Sequence, residues 1–285
     1  MESLRPWLAA ARPGQALLAP LCAAVGSTYA HFDAQRGPGL SAHVVVTLAA
    51  LAAAVGVNLI DHAWIRLGTP PPDPKLPPPP GPEPIDARDA AAAGGAALLL
   101  AALCGIGLGS LSGAAALGYG MVAVVLGVAR GAPAVGLDTL GWRLGDVANA
   151  LALGPVAAMA GYASQAGSGS AGAFLAGVPS GLVAAAALFG RRVIDDDIDA
   201  DVARGIAVAL PLVAAAAISI AARSGEYGPW AHVAGLPLVF VAGASWRFPP
   251  KPSEGDAAGS ERLALSCAAA ALACIIVSLG IATPE

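Results

Sequence analysis

Charge is so sparse in this 285-residue chain that it cuts the sequence into apolar runs, most of them about as long as a membrane helix. A spanning helix needs about 20 apolar residues, because the hydrocarbon layer offers the backbone no hydrogen-bond partners but its own. Runs of that order cover Pro13 to Phe32, Ser41 to Ile65, Ala90 to Leu111, Gly113 to Ala129, Val147 to Ala166, Gly172 to Gly190, Val202 to Ala222, Trp230 to Ala244 and Leu263 to Ala282. The fourth and eighth are the shortest. The expectation is an all-α fold, a polytopic membrane protein of nine transmembrane helices forming a single domain over residues 1-285.

Composition agrees. Charged residues make up 12% of the chain and hydrophobic ones 56%, more apolar than an ordinary soluble domain. Alanine and glycine dominate, which allows helices to approach closely. A formal net charge of -4 with no long basic run argues against nucleic acid as a partner. Cys22, Cys104, Cys267 and Cys274 all fall inside apolar runs without metal-ligand spacing, and read as small buried hydrophobes. No cleavable signal peptide is expected, since Arg5, Trp7 and Arg12 lead straight into the first span.

Basic residues test the count. With nine spans, Arg36 and Arg223 fall on one side and the other thirteen of the 15 Lys and Arg residues on the side of the N-terminus. The positive-inside rule then puts the N-terminus in the cytoplasm. The chain is expected to be a multi-pass protein of the cell inner membrane, with its chemistry on the cytoplasmic face. One cytoplasmic loop, 69–84, is proline-rich and reads as a stiff polyproline spacer rather than a lid.

The densest charge lies between the sixth and seventh spans, from Arg191 to Gly205. Five aspartates, Asp195, Asp196, Asp197, Asp199 and Asp201, stand there with Arg191, Arg192 and Arg204. On a helix Asp195 and Asp199 share a face at i, i+4, where unpaired like charges repel. A divalent cation between them is one compensation, with the arginines holding the anion that the metal bridges, such as a diphosphate. A solvated acidic loop is the other reading. A calcium-binding EF-hand loop is excluded, because Ala200 and Ile206 stand where glycine and glutamate are required.

Two further clusters lie at the same expected face. Asn58, Asp61 and His62 close the second span, with Asp73 beyond, and polar groups at the mouth of a membrane helix are functional candidates. Their plain alternative is a place in the headgroup layer. Trp142, Arg143, Asp146 and Asn149 stand where the fifth span begins. Trp64 and Trp142 read first as interfacial anchors.

These residues together resemble the UbiA-type intramembrane prenyltransferases, and within them the dihydroxynaphthoate polyprenyltransferases of menaquinone synthesis. The likeness is carried by Ala11-Arg12-Pro13, Asn58-Leu59-Ile60, Leu144-Gly145-Asp146, Gly154-Pro155-Val156, and by Asp195 and Asp199 as paired aspartates with Arg204 following. The resemblance implies a UbiA-like bundle and a prenyltransferase that moves an isoprenoid chain from a polyprenyl diphosphate to a small aromatic acceptor. It also implies Mg2+ as cofactor and membrane lipid as surroundings. Asp61, Asp195 and Asp199 become the catalytic candidates. The same three and Asp73 are the candidate metal ligands. Asn58, Arg143, Asp146, Arg191, Arg192 and Arg204 become the candidate substrate-binding residues.

The first motif departs from the family pattern. An asparagine-aspartate pair followed three residues later by a second aspartate would fall on Asp61, His62 and Ile65. A hard magnesium ion prefers carboxylate to imidazole. Three outcomes stay open: Asp61 is shifted into the role, one metal site is weakened, or the chain is a non-catalytic lipid-binding or assembly protein of the same fold. A small transporter is disfavoured by the lack of an internal repeat.

Overall fold

A computed structural model describes residues 4–34, 39–68, 85–131, 144–195, 200–225, 227–247 and 254–281. All regular elements among them are helices: α1 (Arg5–Ala11), α2 (Pro13–Ala16), α3 (Leu18–Ala34), α4 (Leu40–Gly68), α5 (Ala87–Ser112), α6 (Ala114–Gly131), α7 (Leu144–Leu151), a π-helical turn (Ala152–Val156), α8 (Ala157–Ala166), α9 (Ala171–Asp195), α10 (Ala200–Arg223), a 3-10 turn (Pro229–Ala234), α11 (Gly235–Arg247) and α12 (Glu254–Ile281). The all-α, polytopic expectation holds.

Each expected span overlaps a helix, but the helices do not all reach membrane length. Among the described residues six are long and apolar enough to cross a bilayer, and a seventh joins them if α1 and the helix after Pro13, bent by 42°, count as one span. The fourth segment is a shorter apolar helix, Ala114–Ala129. The eighth opens as a 3-10 turn before the 13 residues of α11. The bend after α1 has a local cause. Arg12 precedes a proline, which disfavours helical backbone, and it takes a left-handed φ of 47°.

α9 runs five residues beyond the expected Gly190 and ends at Asp195. Arg191, Arg192 and Asp195 therefore continue a helix. Asp199 lies outside the described residues, as do Asp73, Arg143 and the proline-rich loop.

Small residues set the closeness of the packing. A Cβ on Gly26 of α3 would stand 1.9 Å from the Ala158 carbonyl oxygen of α8, and one on Gly161 would stand 2.0 Å from the Ala23 oxygen. Only glycine permits this crossing. Antiparallel α4 and α5 meet in the same way at Gly56 and Gly94. The main core joins α3, α8, α9, α10 and α12 through Leu18, Val25, Val183, Ile218, Leu272 and Ile275. Large apolar side chains such as Leu99, Leu103, Ile106, Met121, Phe240 and Ile220 stay exposed, as lipid-facing residues do.

Candidate functional site

The polar groups of the bundle divide between its two ends. At one end Tyr162 donates to Asp33 at 2.7 Å, and Gln165 ties Ser27 to the backbone of Gly39. These bonds fasten helix ends to one another.

The other end opens into a cavity of about 360 Å³ enclosed by α2 to α9. Alanine is the commonest residue of its walls, with Ala19, Ala53, Ala101, Ala123 and Ala157 among them. Along α4 it extends from Val46 to Asn58, roughly 18 Å at about 1.5 Å per residue. Three polar side chains line it: Gln15, Asn58 and Asn149. Asn58 lies one turn from Asp61 on α4 with Gln15 near it on α2, and Asn149 stands on α7 one turn before the π turn that meets α9 at Gly181. An apolar chamber with a few convergent polar groups is the usual form of a small-molecule site.

Asn58 lines this chamber and donates from Nδ2 to the Ala11 carbonyl at 2.9 Å. Asp61, one turn later, is turned to the bend between α1 and α2. Its Oδ2 accepts from Arg12 Nη1 at 2.9 Å, with the side chains 24% and 10% exposed. The first cluster thus grips the N-terminal helices through both residues. The Nε2 of His62 is enclosed, with no hydrogen-bond partner among the described residues. Gln15 donates to Glu261 of α12 at 2.7 Å.

The second cluster approaches from α9. Leu188 lines the cavity, and Arg191, Arg192 and Asp195 follow it within two turns; positions 192 and 195 share its helix face. Phe189 packs on Ala203 of α10, which sets the two helix ends flanking the acidic stretch side by side. Arg204 on α10 lies 3.7 Å from Asp201, a largely solvated i, i+3 pair. Asp146 sits half-buried in the first turn of α7. Among the described residues no three His, Cys, Asp or Glu stand together as a metal site.

No protein-family model and no curated protein matches the chain. Solved structures do. Digeranylgeranylglyceryl phosphate synthase superposes with a TM-score of 0.60 at 12% identity, over 98% of this chain and 99% of that one. A UbiA homologue from Archaeoglobus fulgidus gives 0.58 at 16% identity, over 95% and 99%. The same homologue bound to DMAPP and Mg2+ gives 0.54 at 15% identity, over 94% and 98%. This is a UbiA-type fold. At such identities the likeness is one of architecture, and it extends over nearly the whole of each chain. Within this UbiA-type fold, Asp61 of the first polar cluster is paired with the Arg12 guanidinium.

Asn149 belongs to the polar cluster that the sequence marks at the start of the fifth span, whereas Gln15 belongs to none. Asn149 had a signal, as an amide in an otherwise apolar run; Gln15 near the N-terminus had none.

Proposed function

We propose that this protein is a membrane prenyltransferase, moving an isoprenoid chain from a polyprenyl diphosphate to a small aromatic acceptor in quinone synthesis of the menaquinone type. The observation that carries the reading is the alanine-walled cavity, apolar along its length and polar at the end that the basic and acidic turns of α9 adjoin. An isoprenoid tail suits the walls and a diphosphate suits the mouth. The relative seen with DMAPP and Mg2+ lends the donor class.

In this reading Arg191, Arg192 and Arg204 neutralise the diphosphate by charge-assisted hydrogen bonds. Asn58, which lines the cavity, Arg143 and Asp146 complete the substrate-binding set of this reading. The allylic C–O bond breaks and diphosphate leaves with the electron pair. A ring carbon of the acceptor forms the new C–C bond and releases its proton. The cavity excludes water from the allylic cation, which would otherwise be hydrolysed. Mg2+ enters the reading through Asp195 and Asp199, with Asp61 and Asp73 as further ligands; when bound it offsets charge on the leaving group. Among the described residues no three carboxylate, imidazole or thiol groups stand together to complete such a site. In this reading the mouth and the N-terminus face the cytoplasm, the side on which a count of nine spans would gather thirteen of the 15 basic residues.

A second reading is a non-catalytic lipid-binding protein of the same fold. The observation favouring it is Asp61 held by Arg12. Transfer of radiolabelled geranylgeranyl diphosphate to a panel of hydroxylated aromatics separates the two. Labelled product with Mg2+ supports the enzyme, and donor binding without product under any condition sinks it.

A further inference from the structure

Asn149 stands apart from the other polar groups of the cavity. Gln15 and Asn58 each spend an amide on another part of the protein, Gln15 on Glu261 and Asn58 on the Ala11 carbonyl. Asn149 lines the same cavity, and among the described residues its side chain has no hydrogen-bond partner. Half-buried on the long apolar helix Leu144–Ala166 and facing the cavity, this amide is available to hydrogen-bond a ligand that enters.

Its support is rigid. One turn beyond it the helix passes through the π turn, where Pro155 lacks an N–H and Gly154 lies against α9 so closely that a Cβ would stand 2.4 Å from the Gly181 Cα. Asn149, Ala152, Leu153 and Ala157 all line the cavity across this turn. π turns recur at functional sites because they re-aim side chains within a helix. A polar group fixed this way orients a ligand better than one on a loop.

We infer that Asn149 binds the aromatic acceptor, its carboxamide hydrogen-bonding a ring hydroxyl while the ring lies among the alanines; the inference rests on the prenyltransferase reading above. A carboxamide offers both an acceptor oxygen and donor N–H groups, so it matches a hydroxyl in either sense. With Oδ1 accepting from the hydroxyl, electron density at the ring carbons rises and the reacting carbon is aimed at the mouth of the cavity. No proton moves to Asn149, which acts as a substrate-binding residue.

The test compares 1,4-naphthalenediol with 1,4-dimethoxynaphthalene as acceptors, with geranylgeranyl diphosphate as donor, in the full-length protein and in Asn149→Ala, Asn149→Leu and Asn149→Gln. The wild type is expected to prefer the diol by about tenfold or more in kcat/KM, the worth of one ligand hydrogen bond in a dry site. Asn149→Ala is expected to lose most of that preference through a raised KM for the diol, with the KM for the donor unchanged. Asn149→Gln is expected to restore part of it. An alanine variant that keeps the wild-type preference and diol KM overturns the inference; if it does not fold, the leucine variant, of similar size and without a polar group, decides. Wild-type transfer to both acceptors without preference also overturns it, and leaves the prenyltransferase reading intact. Wild-type transfer to no aromatic acceptor at all removes both.

Discussion

Arg12 and Asp61 form an ion pair, Nη1 to Oδ2 at 2.9 Å, that joins the bend between α1 and α2 to the last third of α4. Both side chains are largely enclosed, so each charge needs the other more than it would in water. Removing either one is expected to lower stability by about 1.5–3 kcal/mol, the range for a hydrogen bond between charged groups. The double variant Arg12→Ala with Asp61→Ala is expected to fall well short of the sum. Thermal unfolding in detergent of the two singles and the double measures the coupling, and simple additivity would refute it.

Arg12 also carries the left-handed backbone of the bend, with φ 47°. That conformation is easy for glycine and costs other residues about 1–2 kcal/mol. Arg12→Gly loses the ion pair but relieves the backbone, so it is expected to be about 1 kcal/mol more stable than Arg12→Ala. Equal stability of the two would mean the bend is unstrained.

The crossing of α3 and α8 tolerates no side chain. Gly26→Ala and Gly161→Ala would press a methyl group within 2.0 Å of a backbone oxygen, and both are expected to abolish or sharply reduce folded protein. Gly95 and Gly107 of α5 have open space around the position of a Cβ, so alanine there is expected to be neutral or mildly stabilising. Size-exclusion yield and melting temperature of the four variants check the contrast.

Filling the cavity should separate donors by length. Ala50 lines it on α4, well away from Asn58, and Ala50→Phe removes space at the end remote from the polar mouth. Transfer from geranylgeranyl diphosphate is expected to fall by at least about tenfold while dimethylallyl diphosphate is used nearly as before. An equal loss for both donors would point to a tail path elsewhere.

The acidic stretch gives the last prediction. Asp195→Ala and Asp199→Ala, or removal of divalent metal with EDTA, are expected to abolish donor binding measured by titration with geranylgeranyl diphosphate, and Mg2+ should restore it only in the wild type. Unchanged binding in both variants would remove these aspartates from the proposed donor site.

Much of the architecture was legible because it is written in local runs. Among the described residues each expected span overlaps a helix, and six or up to seven of the helices reach membrane length, since an apolar run has few alternatives to helical backbone there. Ends were less legible: α9 carries Arg191, Arg192 and Asp195 as helix because charged residues leave the apolar layer without breaking the helical hydrogen bonds. The candidate site was legible in part. Asn58 lines the cavity and Leu188 lines it two turns before the end of α9, whereas Asp61 turned to Arg12, a partner 49 positions away.

The sequence by itself determined a helical bundle for an apolar surround, through the length of its runs and the small residues that let helices touch. Only the tertiary structure decided which polar groups are spent on one another. Asn58 holds the Ala11 carbonyl, Asp61 holds Arg12, and Asn149 is left facing an alanine-walled cavity. Those outcomes depend on how each helix is rotated against its neighbours, which the glycine crossings fix and the spacing of residues along one chain does not.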